Sequence, residues 1–169
     1  MGQTALLNPR VHKTIDDFSE FIVRVPSSTA VRKKLRVSII TVTYNSASTI
    51  KDTLKSVSYQ TYDNIEHIIV DGGSADHTLD IIRSFPHVSN CISEKDEGIY
   101  DAMNKGLKMA SGDIIGILNS DDMYAHPDVI ARVVELFEMK ESDTVYGDLL
   151  YVDQTNLNRV MRRWISGTF

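Results

Sequence analysis

An α/β fold with a mainly parallel sheet flanked by helices is predicted by three features of this 169-residue chain. β-Branched apolar runs of strand length alternate with segments whose apolar residues recur at helical spacing. Turns rich in Asp, Asn, Gly and Ser repeatedly fall between a strand and the next helix. The composition is that of an ordinary globular domain, with 42% hydrophobic and 24% charged residues. Strand–helix alternation builds βαβ units. Right-handed crossovers then bring the carboxyl ends of the strands to one sheet edge, where ligands of such sheets bind.

Residues 1–34 stand apart as an N-terminal extension. Thr14-Ile15-Asp16-Asp17 fits a helix cap, and Ile15, Phe18, Ile22 and Val25 would share one face of a short docking helix. Pro26-Ser27-Ser28 ends it, and Arg32, Lys33, Lys34 and Arg36 follow as a solvated basic linker. Asp16, Asp17 and Glu20 weigh against an anionic-lipid anchor.

The regular pattern begins at Leu35. Arg36–Thr43 reads as a buried parallel strand. Asn45 or Ser46 then caps a helix carrying Ala47, Ile50, Leu54 and Val57 on one face. A second strand, Ile65–Val70, ends at Asp71-Gly72-Gly73-Ser74, and the next helix has Leu79 and Ile82 as core contacts. Val88–Ser93 is a weaker strand containing Cys91, read as a small core residue. Gly98–Ala110 is a helix with Ile99, Ala102, Met103, Gly106, Leu107 and Ala110 facing inward, Gly106 permitting close packing on the sheet. Asp113–Leu118 is the next strand. Pro127 starts a helix that buries Ile130, Val133, Val134 and Phe137, and Thr144–Val152 is a further strand.

Several function classes drop out. A net charge of −5 argues against a nucleic-acid partner. Neither a GxGxxG nor a GxxxxGK[ST] loop follows a strand, so dinucleotide and P-loop chemistry are excluded. No histidine has zinc-ligand spacing with another His or Cys. Without a membrane-length apolar run or signal-peptide pattern the chain reads as cytosolic, a peripheral contact at the inner membrane face staying open.

Polar clusters follow each strand on the predicted ligand edge: Thr43-Tyr44-Asn45, then Asp71, then Glu94, Asp96 and Glu97, then Asn119-Ser120-Asp121-Asp122. Adjacent carboxylates repel, and a hard divalent cation with oxygen preference relieves that cost. Asp122 is the candidate metal ligand, with Asp121 beside it or accepting from a ribose hydroxyl. Asp71 is a candidate acceptor for a nucleobase N–H, and Tyr44 and Tyr100 are candidates for stacking. Each cluster alone also fits simple turn chemistry.

Together these segments resemble the family-2 glycosyltransferases of bacterial polysaccharide synthesis, most closely the colanic-acid and similar exopolysaccharide type. The resemblance lies in Val37-Ser38-Ile39-Ile40-Thr41-Val42-Thr43-Tyr44-Asn45, Ser56 to Tyr62, Ile68 to Thr78, Ser93 to Gly106 with its Asp-Ala-Met-Asn-Lys-Gly ending, and Ser111-Gly112-Asp113 through Asp122. It implies a Rossmann-like GT-A fold, a nucleotide-sugar donor, a Mg²⁺ or Mn²⁺ ion and a single-displacement, inverting reaction. It further implies that Val42 and Thr43 line the nucleobase pocket, Asp71 contacts the base, Asp96 lies near the donor, and Asp121 and Asp122 match the DxD-type motif. UDP-sugars are favoured over GDP- or dTDP-sugars, and the acceptor is a saccharide or lipid-linked saccharide. Two departures stand out. Gly72 replaces a second Asp found in many relatives, and Asn119 replaces the Asp that often opens the last motif.

On this reading residues 35–152 form the donor-binding domain and 153–169 begin an incomplete acceptor-binding region. The general base is expected beyond Phe169, with Asp148 and Asp153 as the in-chain substitutes. Apolar surface around Trp164 and Phe169 points to self-association as a homo-oligomer. The rival readings are a donor-binding fragment or pseudoenzyme without transfer activity, and a sugar-phosphate nucleotidyltransferase.

Overall fold

The computed structural model describes residues 3–9, 33–140, 143–153 and 155–165. Strands β1 (Gln3–Pro9) and β2 (Val37–Thr43) are followed by helix α1 (Ile50–Ser58), strand β3 (Ile65–Asp71), helix α2 (Thr78–Arg83) and strand β4 (Val88–Ser93). Helix α3 (Ile99–Met109), strands β5 (Ile114–Ile117) and β6 (Asp122–Tyr124), helix α4 (Val129–Lys140), and strands β7 (Gly147–Asp153) and β8 (Asn156–Trp164) complete the order.

The central sheet has the order β4-β3-β2-β5, with every neighbouring pair parallel. β2 is buried at every position because helices cover both of its faces. Val37 and Ile39 pack with Val57 of α1 and Ile130 and Val134 of α4. Ile40 and Val42 point the other way and meet Ile68, Val70 and Ala102 of α3. Ile50 and Leu54 of α1 meet Ile69 and Ile82. Gly106 is the point of closest approach, since a Cβ there would lie 2.4 Å from Ile40 Cγ2.

Three expectations change. Ile99 and Leu107 are exposed on α3, whose inner face runs through Ala102, Met103, Gly106 and Met109. Cys91 is exposed, because β4 is an edge strand with a largely uncovered face. Its thiol pKa is raised by desolvation and by the Asp71 charge, which suits an inert thiol. Third, a second sheet of order β6-β1-β7-β8 lies beside the first, with β1 parallel to β6 and antiparallel to β7. The extension thus contributes a strand at Gln3–Pro9, while the helix expected on Ile15 to Val25 lies outside the described residues. β7 and β8 form an antiparallel hairpin in which Leu149 pairs with Trp164 and Asp153 with Asn156.

Two polar groups are sealed into the central sheet. Glu66 accepts hydrogen bonds from Ser38 Oγ at 2.5 Å, Ser111 N at 2.9 Å and Ser111 Oγ at 3.0 Å, and pairs with Arg36 at 3.2 Å. Burial pushes its pKa up, but the Ser38 and Ser111 hydrogen bonds and the Arg36 charge outweigh that and hold it below the ordinary value. Asp113 accepts from Arg36 N at 2.9 Å, so Ser111-Gly112-Asp113 clamps the sheet at the starts of its strands.

His67 is the other buried group. Its Nε2 lies 3.0 Å from Thr41 Oγ1 and its Nδ1 3.1 Å from His87 Nε2. Burial, then the neighbouring His87, pushes the His67 pKa down to about 3. The unfolded chain binds a proton near pH 6.5 and the native state does not, so stability is level above that pH and falls below it. Urea denaturation from pH 7 to pH 5 is expected to lose about 1.4 kcal/mol per unit once below the unfolded value. His67→Gln should flatten that slope. An unchanged slope in the variant would assign the acid sensitivity elsewhere.

Candidate functional site

The carboxyl ends of β2, β3, β4 and β5 lie along one edge, and the loops that leave them are joined side to side. Asn45 adopts a left-handed backbone, φ 48°, which lets its side chain reach the next loop. Its Oδ1 accepts from Ala75 N at 2.9 Å, and its own N–H donates to Ser74 Oγ at 2.8 Å. Ser46 N donates to Thr78 Oγ1 at 2.8 Å and Ala47 N to Asp76 Oδ2 at 3.1 Å. The Ser46 and Ser120 hydroxyls meet at 2.9 Å, tying the first loop to the one after β5.

These loops and the start of α3 enclose a cleft of 790 Å³. Val42, Thr43, Tyr44, Asn45, Asp96 and Asp121, all assigned to a donor site from sequence, line it together. Ser46, Ser48, Thr49, Gly98, Ile99 and Ser120 also line it and were not assigned. Their signal was position: Ser48 and Thr49 precede α1, and Gly98 and Ile99 open α3. The N-terminal ends of both helices therefore border the cleft, where their dipoles favour an anionic ligand. No Lys or Arg stands among the described residues of its wall.

Asp71 is placed differently from the expectation. It is fully buried at the end of β3. Its Oδ2 accepts from Gly73 N at 3.1 Å, Ser74 N at 2.9 Å and Ser93 Oγ at 2.6 Å, and Oδ1 accepts from Ser74 Oγ. The carboxylate is thus committed to the β3–α2 turn, in which Gly73 has φ +83°, and it is not part of the cleft wall. Asp148 and Asp153 are not part of that wall either. Asp148 is buried on β7 and pairs with Arg163 at 3.4 Å. Asp153 accepts from Thr155 Oγ1 at 2.6 Å and N at 2.8 Å, and these bonds lower its pKa, hydroxyl first, making it a weaker base.

Asn119, Ser120 and Asp121 line the cleft and Asp122 does not; the four form a turn closed by Asp122 N–H donating to Asn119 O at 3.0 Å. Asn119 Nδ2 donates to Asp122 Oδ2 at 3.2 Å. Asn119 Oδ1 and Thr43 Oγ1 are buried without a hydrogen-bond partner among the described residues. Paired carboxylates beside an unsatisfied amide oxygen make an all-oxygen donor set, which fits a hard cation. Among the described residues no group of three or more His, Cys, Asp or Glu side chains comes together, so such an ion would also draw on its ligand's oxygens.

Comparison with known proteins agrees with this fold. The family model described as Glycosyl transferase family 2 matches residues 38–169. A PGL/p-HBAD biosynthesis glycosyltransferase of Mycobacterium bovis is 40% identical over 118 residues, covering 67% of this chain and 46% of that protein. An uncharacterized glycosyltransferase of Mycobacterium tuberculosis is 42% identical over 106 residues, covering 62% and 40% respectively. The chain thus spans less than half the length of these curated relatives. Among solved structures, Staphylococcus aureus TarS 1-349 in complex with UDP-GlcNAc superposes with TM-score 0.60 at 26% identity, covering 64% of this chain and 33% of that one. The Pyrobaculum calidifontis mannosyltransferase PcManGT, in complex with GDP-Man and Mn²⁺, gives TM-score 0.59 at 27% identity, covering 64% and 34%. Among the described residues no helix is long and apolar enough to cross a membrane.

Proposed function

The chain belongs to glycosyl transferase family 2, and from that premise we propose that its cleft binds a nucleoside-diphosphate sugar for inverting transfer in polysaccharide or glycolipid assembly. The observation that carries the reading is the convergence of Thr43, Tyr44, Asn45, Asp96 and Asp121 on one cleft at the carboxyl edge of a parallel sheet. Residues 35–152 serve as the donor-binding unit. Val42 and Thr43 flank the nucleobase, and Tyr44 covers its face. Asp121 takes the ribose or the ion, and Asp122 takes the ion.

The diphosphate lies between the start of α3 and the Asp121-Asp122 turn. With no Lys or Arg in the described wall, its charge is met by the helix dipoles and by Mg²⁺ or Mn²⁺. When bound, that ion supplies Lewis-acid stabilisation of the leaving diphosphate. Asp71 acts one step removed, by holding the turn that carries Gly72 and Gly73.

Transfer also needs a base for the acceptor hydroxyl. Asp148 and Asp153 do not line the cleft, so we place the base outside the segment that the longer relatives share with this chain. The same observation favours a second reading for the 169 residues themselves, donor binding without efficient transfer. Calorimetric titration with UDP in Mn²⁺ and in EDTA tests the shared core of both readings. Binding is expected only, or at least tenfold more tightly, with the ion. Equal affinity in the two buffers would refute the metal-dependent reading.

A further inference from the structure

The stretch from Ser56 to Tyr62 carries part of the family resemblance, yet Ser56, Gln60 and Thr61 are not in the cleft wall. Ser56 lies in the last turn of α1 and Gln60 just past its end. Ser56 Oγ accepts from Tyr124 N, in β6, at 3.1 Å. Gln60 Oε1 accepts from Ile130 N, in the first turn of α4, at 3.0 Å. Gln60 Nε2 donates to His126 O at 2.8 Å and to Ser56 O at 3.0 Å. Thr61 N and Oγ1 both donate to Pro127 O, at 2.7 and 3.2 Å. The end of α1 therefore grips the chain from Tyr124 to Ile130. A primary amide suits the central place in that grip, since one end accepts while the other donates twice.

What α1 grips is the direct continuation of the Asn119–Asp122 turn. β6 begins at Asp122 itself, is three residues long and stands at the end of its sheet, where it pairs with β1. Side chains of α1 supply the rest of its anchorage. On the upstream side, Leu118 N–H donates to Ile40 O at 2.9 Å, and the Ser120 hydroxyl meets that of Ser46 at 2.9 Å. The turn is thus suspended between two anchor points, and Asp121 and Asp122 lie between them. A shift of the backbone at Tyr124 reaches Asp122 two residues away. Groups that hold a metal need placing to within about 0.5 Å.

We propose that Gln60, assisted by Ser56, is a positioning residue for the ion: it sets where Asp121 and Asp122 stand without itself touching ion or nucleotide. This rests on the metal-dependent donor-binding reading above and deepens it. Thr43, Tyr44 and Asp96 belong to the loops after β2 and β4, and among the described residues Gln60 makes no hydrogen bond to either loop. Its loss should therefore fall on the ion and spare the contacts that those loops make to the nucleotide.

The test is calorimetry of UDP binding to the whole chain at a series of Mn²⁺ concentrations and in EDTA, with folding followed by circular dichroism. The reading is the Mn²⁺ concentration that gives half of the full gain in UDP affinity. Gln60→Ala should raise that midpoint about tenfold, the usual effect of losing an outer partner of a metal ligand. Affinity in EDTA should not change, and saturating Mn²⁺ should restore UDP binding. Gln60→Glu keeps an acceptor for Ile130 N but no donor for His126 O, so its midpoint should fall between the two. Ser56→Ala should shift the midpoint in the same direction by less, and Ser56→Thr, which keeps the hydroxyl, should retain the native value. Ser111→Ala, at the opposite edge of the sheet, is the control for stability: it should unfold at lower urea yet keep the native midpoint. A native midpoint in folded Gln60→Ala would overturn the proposal. So would equal weakening of UDP in Mn²⁺ and in EDTA, which would mean that the whole cleft had been disturbed. If Gln60→Ala does not fold, the same two outcomes in Gln60→Glu and Ser56→Ala decide the matter. A native chain with no Mn²⁺-dependent gain would instead sink the parent reading, a result distinct from all of these.

Discussion

Asp122→Asn is expected to weaken UDP binding in Mn²⁺ by about 100-fold while leaving the weak binding in EDTA unchanged. Asp121 and Asp122 are adjacent carboxylates on a turn, and the described wall of the cleft supplies no Lys or Arg to offset them. A cation relieves the mutual repulsion of such a pair and links it to the diphosphate. Asparagine keeps the size of the side chain and can still meet Asn119, but removes one anionic ligand. The fold should therefore survive, and thermal denaturation without ligand should move little or upward as the repulsion is relieved. A variant that keeps the full Mn²⁺-dependent gain would show that the ion, if used, sits elsewhere.

Glu66→Leu should destabilise the chain by roughly 3–5 kcal/mol, the usual cost of breaking a buried charged network by removing one partner. Leucine leaves Ser38 Oγ, Ser111 N and Ser111 Oγ without their acceptor and Arg36 without its partner. That is a large share of the stability of a typical domain, about 5–15 kcal/mol in all. Glu66→Gln retains an acceptor oxygen and should lose less, and Ser111→Ala less again. Equilibrium urea unfolding at pH 7 reads all three. A loss below about 1 kcal/mol for Glu66→Leu would mean that the site relaxes or admits water. Because this network lies at the starts of the strands, UDP affinity measured on the folded fraction should be unaltered.

The sequence made the parallel core legible because its strands are continuous β-branched runs and its turns carry their own chemistry. Val37–Thr43 and Ile65–Asp71 differ from expectation by single residues. The second sheet was not legible for a different reason. Asp122–Tyr124 is three residues long, too short to show a period, and Gln3–Pro9 becomes a strand through pairing with segments more than a hundred residues away. The site shows the same division. The positions of Thr43, Tyr44, Asn45, Asp96 and Asp121 follow from the rule that loops leave a parallel sheet at one edge. The separate duties of Asp71 and Asp96 do not, since both are aspartates just after strands. Only Ser93, reaching across from β4, together with Ser74, reveals that the first carboxylate is fully engaged. Ser111-Gly112-Asp113 likewise looked like part of a functional signature, and its contacts show a clamp at the opposite edge.

The stitching of the cleft loops bears on how a ligand would be received. Backbone N–H groups of Asn45, Ser46 and Ala47 are held by side chains of the neighbouring loop, and Asn45 returns a bond to Ala75. Fixing a residue in one backbone conformation costs about 1–2 kcal/mol. For this floor that entropy is already surrendered during folding, before any nucleotide arrives. Association can then proceed as docking onto a rigid surface, with conformational adjustment left to exposed side chains such as Tyr44 and Tyr100. Rigidity in these loops is a thermodynamic asset of the site as much as a property of the fold.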